Sequence, residues 1–126
     1  MKIVWLLEET LRAIHHRQIA EHGGGEGLRD EGLLSSALAR PQNLLAYGEP
    51  TPDLASLAAA YAYGIVRDHP FVDGNKRTAL VAARTFLLLN GVNLDATQDN
   101  KLVTFVNLAG GSISEEELAA WIRKRI

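Results

Sequence analysis

Apolar residues recur at intervals of three and four positions along most of the chain, which is the spacing of amphipathic helices. Glycines, prolines and capping residues interrupt this pattern, and the interruptions divide it into six segments. Asp30, Thr51 and Ser114 are predicted N-caps, and Pro41 is predicted to end the second helix. Helices are therefore predicted over 7–22, 30–41, 51–69, 74–90 and 98–108 and from 114 onward, after a short extended lead-in over 3–6.

The fourth predicted helix differs from the others in its hydrophobicity. Nine of the eleven residues in 79–89 are apolar, and a helix that is apolar on all sides is typical of one surrounded by other helices. We therefore expect this helix to be the central post of the fold. The predicted fold class is all-α: a compact single-domain bundle of about six helices around a buried central helix, with one domain over 1–126.

Composition supports this fold class. Leucine and alanine supply 36 of the 126 residues, against seven valines and seven isoleucines, and this ratio favours helices over strands. A chain of this length has room for one domain. The absence of cysteine excludes disulfides, thiolate metal sites and cysteine nucleophiles.

Charge and hydropathy indicate where in the cell the protein is expected and which partners it is not expected to bind. The net charge of -2 gives no basic footprint for direct binding to nucleic acid. No apolar run approaches the roughly 18 residues that a membrane span requires. Acidic residues at Glu8 and Glu9 come too early for a signal peptide. A cytoplasmic protein without a membrane partner is the expectation.

The segment 69–78 does not fit a purely structural pattern. Lys76 and Arg77 fall in the first turn of the predicted central helix, where each cation opposes the helix dipole at a cost of about 0.3–1 kcal/mol. An anion bound at that helix start reverses the sign, because backbone N–H groups and both cations then converge on one negative ligand. Gly74 lets the backbone approach such a ligand closely. The segment therefore predicts a phosphate-binding site.

Two neighbouring side chains add chemistry to this site. Asp73 would repel a phosphate, but Mg²⁺ removes the conflict because it commonly binds one or two carboxylates together with phosphate oxygens. His69 supplies an imidazole, the side chain best suited to act as a general base near neutral pH. A base, a metal-binding carboxylate and a phosphate cradle within nine residues predict group transfer from a nucleotide to a hydroxyl.

The same segment resembles the signature of the Fic/Doc superfamily, HxFx[D/E][A/G]N[G/K]R, and matches it at every specified position from His69 to Arg77. The resemblance covers most of the chain. Upstream, the spacing is similar to the Doc branch, the death-on-curing toxins of bacterial toxin–antitoxin pairs, through the first helix, Gly23-Gly24, 27–30, Leu34, Ala37 and Pro41.

The resemblance implies roles for individual residues. His69 would activate a target hydroxyl, Asp73 would hold Mg²⁺, and Phe71 would anchor the loop by burying its ring. The phosphates of ATP would be cradled by Gly74, Asn75, Lys76 and Arg77.

Two reactions occur within the superfamily, and the sequence favours one of them. Enzymes that transfer AMP typically carry glycine after the asparagine and a second arginine three residues past the first, whereas this chain has Lys76 and Leu80 there. Both departures favour transfer of the γ-phosphoryl group, as in the Doc branch, with elongation factor Tu as the implied target. Pro70 and Gly74 are more usual in the AMP-transferring version, so AMP transfer is the alternative.

Regulation by another chain is also implied. No segment matches the internal inhibitory helix [S/T]xxxE[G/N] of many Fic enzymes. The resemblance implies instead a Phd-like antitoxin, whose disordered tail would fold as a helix into a surface groove. A catalytically silent module that only binds the antitoxin is the alternative from another functional class.

Residues outside the segment are expected to have simpler roles. The histidines His15, His16 and His22 are predicted to be surface or interface residues. Arg84 is either paired internally or lines the cleft. The loop 44–49 is either a flap that aligns the target or a plain connection.

Overall fold

A computed structural model of the protein describes residues 2–126. It confirms the all-α bundle, with six helices in the described residues: α1 (Glu8–His22), α2 (Glu31–Tyr47), α3 (Leu54–Asp68), α4 (Asn75–Leu89), α5 (Gln98–Ala109) and α6 (Glu115–Arg123). A single isolated antiparallel bridge joins Leu28 to Phe71. No helix in 2–126 combines the length and the apolar character that crossing a membrane would require.

The central helix is α3, one place earlier in the chain than the sequence predicted. It packs against α2, α4, α5 and α6, whereas α4 packs against α1, α3 and α5 and leaves Leu88 and Leu89 exposed. Small side chains explain the position of α3, because alanines at 58–60 and 62 and a glycine at 64 let neighbouring helices approach closely. A Cβ atom at Gly64 would lie 3.3 Å from the Cα atom of Ala37 in α2.

Two predicted helix boundaries were wrong. The second helix does not stop at Pro41 but continues through this buried proline to Tyr47, and Leu44 and Leu45 then pack against the core. This apolar burial offsets the hydrogen bond that the proline removes. The third helix begins at Leu54 rather than near Thr51, because the carboxylate of Asp53 accepts from the backbone N–H of Ser56 and acts as the N-cap.

The other predicted boundaries agree closely with the structure. The fourth helix begins at Asn75, directly after its N-cap Gly74, and ends at Leu89, with Asn90 as its C-cap. The capping box of the sixth helix is formed, with Ser114 and Glu117 each accepting from the other's backbone N–H. The lead-in segment is fastened to the core, since the N–H of Leu6 donates to the buried hydroxyl of Tyr61 at 3.0 Å.

Candidate active site

The loop between α3 and α4 carries the predicted motif and connects two helix ends. His69 is the C-cap of α3 and adopts a left-handed conformation with φ of 52°, and Gly74 is the left-handed N-cap of α4 with φ of 77°. Together these residues turn the chain sharply, so that the end of one buried helix and the start of another open onto the same cavity. That cavity has a volume of about 540 Å³.

Asn75 holds the loop in shape from within. Its side chain is buried, with Oδ1 accepting from the N–H of Phe71 at 3.1 Å and Nδ2 donating to the carbonyl of Phe71 at 3.0 Å. These two bonds fix the orientation of the amide, so Nδ2 also faces Nδ1 of His69 at 3.1 Å. Because Nδ2 can only donate, Nδ1 of His69 must accept, and a neutral His69 ring carries its proton on Nε2.

The carboxylate of Asp73 lies against a glycine segment that follows α1. One oxygen accepts from the N–H of Gly74 at 2.8 Å, and the other lies 3.4 Å from the N–H of Gly25. A Cβ atom at Gly24 would stand only 2.7 Å from this carboxylate, and the φ of Gly24 is +115°. Gly24 therefore has both a steric and a conformational reason to be glycine.

The start of α4 is electrically unlike the starts of α2, α3, α5 and α6. Side chains cap α2, α3, α5 and α6, but no side chain caps α4 and no acid lies in its first turn. Instead Lys76 and Arg77 occupy this turn, and both line the cavity together with His69 and Asp73. The structure therefore brings the proposed base, the carboxylate and both cations to one cavity.

Arg29 is a residue of the site that the sequence did not single out. Its Nε donates to the carbonyl of His69 at 2.7 Å, and its Nη2 donates to the carbonyl of Asp68 at 2.8 Å. Its backbone N–H donates to the carbonyl of Pro70 at 2.7 Å. The one signal in the sequence was that Arg29 lies in the segment 27–30, whose spacing resembles that of the Doc branch.

The prediction that His15 is a surface or interface residue was wrong. Its side chain is buried, and its ring stacks on Phe71 with centroids 3.8 Å apart. The periodicity of α1 could have revealed this, because His15 lies four residues from both Leu11 and Ile19, which are also buried. His16 and His22 are exposed.

The structure shows where Arg84 and the loop 44–49 lie, two features for which the sequence left alternatives open. Arg84 is exposed on α4 and is not among the residues that line the cavity beside His69. Residues 44–47 belong to α2, and the loop that follows lies at the N-terminal end of α3, about 20 Å along the helix from His69. The segment that lies against the active loop is instead 24–30.

A second and larger cavity, of about 1010 Å³, lies at that N-terminal end of α3, between α2 and α6. Four of its charged side chains form two ion pairs, Arg40 with Glu115 and Arg123 with Asp53, and Glu49 and Glu116 also line it. The chemistry predicted from the sequence belongs to the smaller cavity. Among residues 2–126 there is no group of three His, Cys, Asp or Glu side chains placed to hold a metal ion.

Comparisons with known proteins agree with the motif. The sequence model of the Fic/DOC family matches residues 5–87. The chain is 38% identical to the protein named protein kinase doc of Escherichia phage P1 over 116 residues, which cover 92% of this chain and 90% of that protein. It is 49% identical to the protein named toxin Doc of Mycolicibacterium smegmatis over 77 residues, or 61% of this chain and 59% of that protein. The chain therefore belongs to the Fic/DOC family.

Proposed function

We propose that this protein is the toxin of a type II toxin–antitoxin pair and that it transfers the γ-phosphoryl group of ATP to a hydroxyl of a target protein. The names of the two relatives, a protein kinase and a toxin, support this proposal. The observation that carries it is the convergence of His69, Asp73, Lys76 and Arg77 on one cavity at the uncapped start of α4.

The phosphates of ATP would be held at this helix start. The N–H groups of Asn75, Lys76 and Arg77 lie in the first turn, where no intrahelical partner exists. The side chains of Lys76 and Arg77 add two positive charges, and Gly74 leaves room for close approach. Asn75 would contribute through its backbone, because its side-chain amide already holds the loop.

Asp73 is suited to be the protein ligand of a Mg²⁺ ion bound to the phosphates of ATP. Mg²⁺ bound to phosphates usually takes one or two protein carboxylates, and the carboxylate of Asp73 is exposed beside the proposed phosphate position. When bound, Mg²⁺ would neutralise charge on the phosphates.

His69 would accept the proton of the target hydroxyl. In the contact with Asn75 the Nδ1 atom accepts, so a neutral ring has its proton on Nε2. To accept a proton at Nε2, the neutral ring must first carry its own proton on Nδ1 instead, and this tautomer requires the contact with Nδ2 of Asn75 to open. Phosphoryl transfer depends mainly on positioning and charge neutralisation, which are the features that this site supplies most fully.

AMP transfer is the second candidate reaction, and the left-handed N-cap favours it because a glycine at that position is more usual in AMP-transferring relatives. Two observations support phosphoryl transfer over AMP transfer. Leu80, which stands where a second arginine would be, is only 5% exposed and is not among the residues that line the cavity. Lys76 stands where the AMP-transferring enzymes have glycine.

The partners follow from this proposal. The target would be a protein of the translation machinery, with elongation factor Tu as the first candidate. A Phd-like antitoxin would restrain the toxin by folding a helical tail into a surface groove.

A labelling experiment tests the reaction. The protein is incubated with elongation factor Tu and Mg²⁺ and either γ-labelled or α-labelled ATP, with the His69→Ala variant as the control. Phosphoryl transfer predicts that label reaches the target only from the γ position and only with the unaltered protein. Label from the α position alone would establish AMP transfer instead. If His69→Ala remained as toxic in cells as the unaltered protein, the module that only binds an antitoxin would be the better explanation.

A further inference from the structure

His15 reaches the active loop from α1, a helix that contributes none of the motif residues. The side chain is 4% exposed, and the ring lies parallel to that of Phe71 with an interplanar angle of 5°. Its Nε2 is 2.8 Å from the carbonyl oxygen of Asp73. His15 therefore makes two contacts with the loop, one to a side chain and one to the backbone.

The backbone contact has a definite direction. A carbonyl oxygen can only accept, so Nε2 of His15 must carry a proton and donate it. The peptide bond between Asp73 and Gly74 is trans, and in a trans peptide the C=O and the N–H point in opposite directions. With its carbonyl held by His15, this peptide directs the Gly74 N–H to the opposite side of the loop.

On that opposite side lies the carboxylate of Asp73, whose Oδ1 accepts from the Gly74 N–H at 2.8 Å. The ring of His15, the peptide and the carboxylate thus form a short chain of hydrogen bonds. Gly74 has a positive φ and no side chain, so little else resists rotation of this peptide plane. Rotation would withdraw the N–H from the carboxylate and turn a carbonyl oxygen towards the proposed phosphate position.

We propose that His15 is a positioning residue that holds the Asp73–Gly74 peptide and, through it, the Asp73 carboxylate in the orientation that accepts a metal-bound nucleotide. The expected effect on kinetics rests on the proposed function. The orientation of the peptide can be measured without any activity.

Two substitutions separate the hydrogen bond from the packing. His15→Phe keeps an aromatic ring to stack on Phe71 but removes the donor. His15→Gln removes the ring but places an amide N–H at about the distance of Nε2 along the side chain. A residue that only fills space would be replaced better by phenylalanine, whereas a positioning donor would be replaced better by glutamine.

The kinetic test measures KM for ATP, the Mg²⁺ concentration for half-maximal activity, and kcat. We expect His15→Phe to raise the first two about tenfold, as the loss of one hydrogen bond would, with a smaller change in kcat. We expect His15→Gln to stay within about threefold of the unaltered protein. Equal kinetics for the unaltered protein and His15→Phe would overturn the inference while leaving the proposed function intact.

Nuclear magnetic resonance gives a second readout that needs no activity. In the unaltered protein the ¹⁵N signals of His15 should show the proton on Nε2. The amide signal of Gly74 should shift in His15→Phe and remain close to its original position in His15→Gln. A His15 ring protonated on Nδ1 alone would overturn the inference whether or not either variant folds. If these signals were as expected but the unaltered protein transferred no phosphate, the proposed function would fail and the orientation of the peptide would stand.

Discussion

His69 carries the one positive φ among the non-glycine residues that the structure describes. A left-handed conformation costs such a residue roughly 1–2 kcal/mol, and surrounding contacts must supply that energy. Arg29 does so by donating to the carbonyl of Asp68, the last residue of α3, and to the carbonyl of His69, where a cation also interacts favourably with the helix dipole. Arg29 thereby sets the direction in which the His69 side chain leaves the helix.

Replacing Arg29 by alanine should therefore impair both stability and catalysis. We expect the free energy of unfolding to fall by about 1–3 kcal/mol, because two carbonyls lose a charged donor, and kcat to fall tenfold or more as His69 loses its fixed position. Urea denaturation and the γ-label assay measure the two effects. Arg29→Lys should recover little, since one ammonium group does not reproduce the two-pronged contact.

Arg17→Ala is the matched control for this prediction. Arg17 forms an exposed ion pair with Glu21 one turn further along α1, and such exposed pairs contribute little to stability. Loss of activity in Arg17→Ala equal to that in Arg29→Ala, or full activity in Arg29→Ala, would contradict the proposed part of Arg29.

Residues that lie next to one another in the chain could be predicted from the sequence, and residues brought together by packing could not. The sequence could group His69, Asp73, Lys76 and Arg77 into one proposed site because nine consecutive positions carry their chemistry. His15 lies beside this loop only because the bundle packs α1 against it, although His15 precedes Asp73 by 58 residues in the chain. The periodicity of α1 indicates its burial but not its partner.

At the scale of a helix, the start of α4 combines its proposed function with a cost in stability. A side chain caps the start of α2, α3, α5 and α6, and most of these four helices have an acid in the first turn. The start of α4 has no capping side chain, and its first turn has Lys76 and Arg77. Without a bound anion these cations oppose the helix dipole. The unliganded protein should therefore be less stable than it would be with an ordinary helix start.

Lys76→Glu should consequently stabilise the protein and weaken its binding of nucleotide. Reversal of one charge in the first turn should add about 1 kcal/mol, which corresponds to a rise in Tm of roughly 3 °C for a domain of this size. The further rise in Tm that ATP and Mg²⁺ produce in the unaltered protein should be lost. Thermal unfolding with and without the nucleotide measures both effects.

The C-terminal end of another helix, α6, supplies the control. Lys124 is the C-cap of α6, where a cation is favourable, so Lys124→Glu should lower Tm while the response to ATP is retained. A lower Tm for Lys76→Glu without nucleotide would show that the cation is there for a structural reason, and the phosphate-site proposal would lose its main support.

Helix ends with strong local signals were predictable, and ends decided by tertiary packing were not. Ser114 and Gly74 mark boundaries that depend on local hydrogen bonding and backbone conformation. Pro41 removes a hydrogen bond, and by that local rule it should end α2. The helix continues because the residues beyond it bury apolar surface against the core, which no local rule reveals.

For the whole molecule, the two ends of α3 border different cavities: the C-terminal end borders the proposed active site, and the N-terminal end borders the larger cavity. Its C-terminus carries His69, and its N-terminus is joined to α6 by the ion pair of Asp53 with Arg123, residues 70 positions apart in the chain. The sequence predicted the number of helices but not which helix was central, because alanine-rich segments suit any buried position. The function of Asp53 as a link to α6 depends on that arrangement.

The Asp53–Arg123 pair should make stability depend on pH in the acid range. The hydrogen bond from Arg123 is the main reason that the pKa of Asp53 is held well below its ordinary value, and the N–H of Ser56 adds to the effect. Because the pKa is depressed in the folded state, the contribution to stability is complete above the ordinary aspartate value of about 4. It is lost as pH falls further towards the folded value.

Asp53→Asn tests this dependence, because asparagine keeps the N-cap but removes the charge. Both side chains of the pair are about half exposed, so we expect a loss of only about 0.5–1 kcal/mol at pH 7. The difference from the unaltered protein should be constant between pH 8 and about pH 5 and should shrink below about pH 4. Urea denaturation across this range measures it, and Arg123→Gln should show the same pH profile. A difference that stays constant down to pH 3 would mean that packing or capping, and not the charge of Asp53, accounts for the effect.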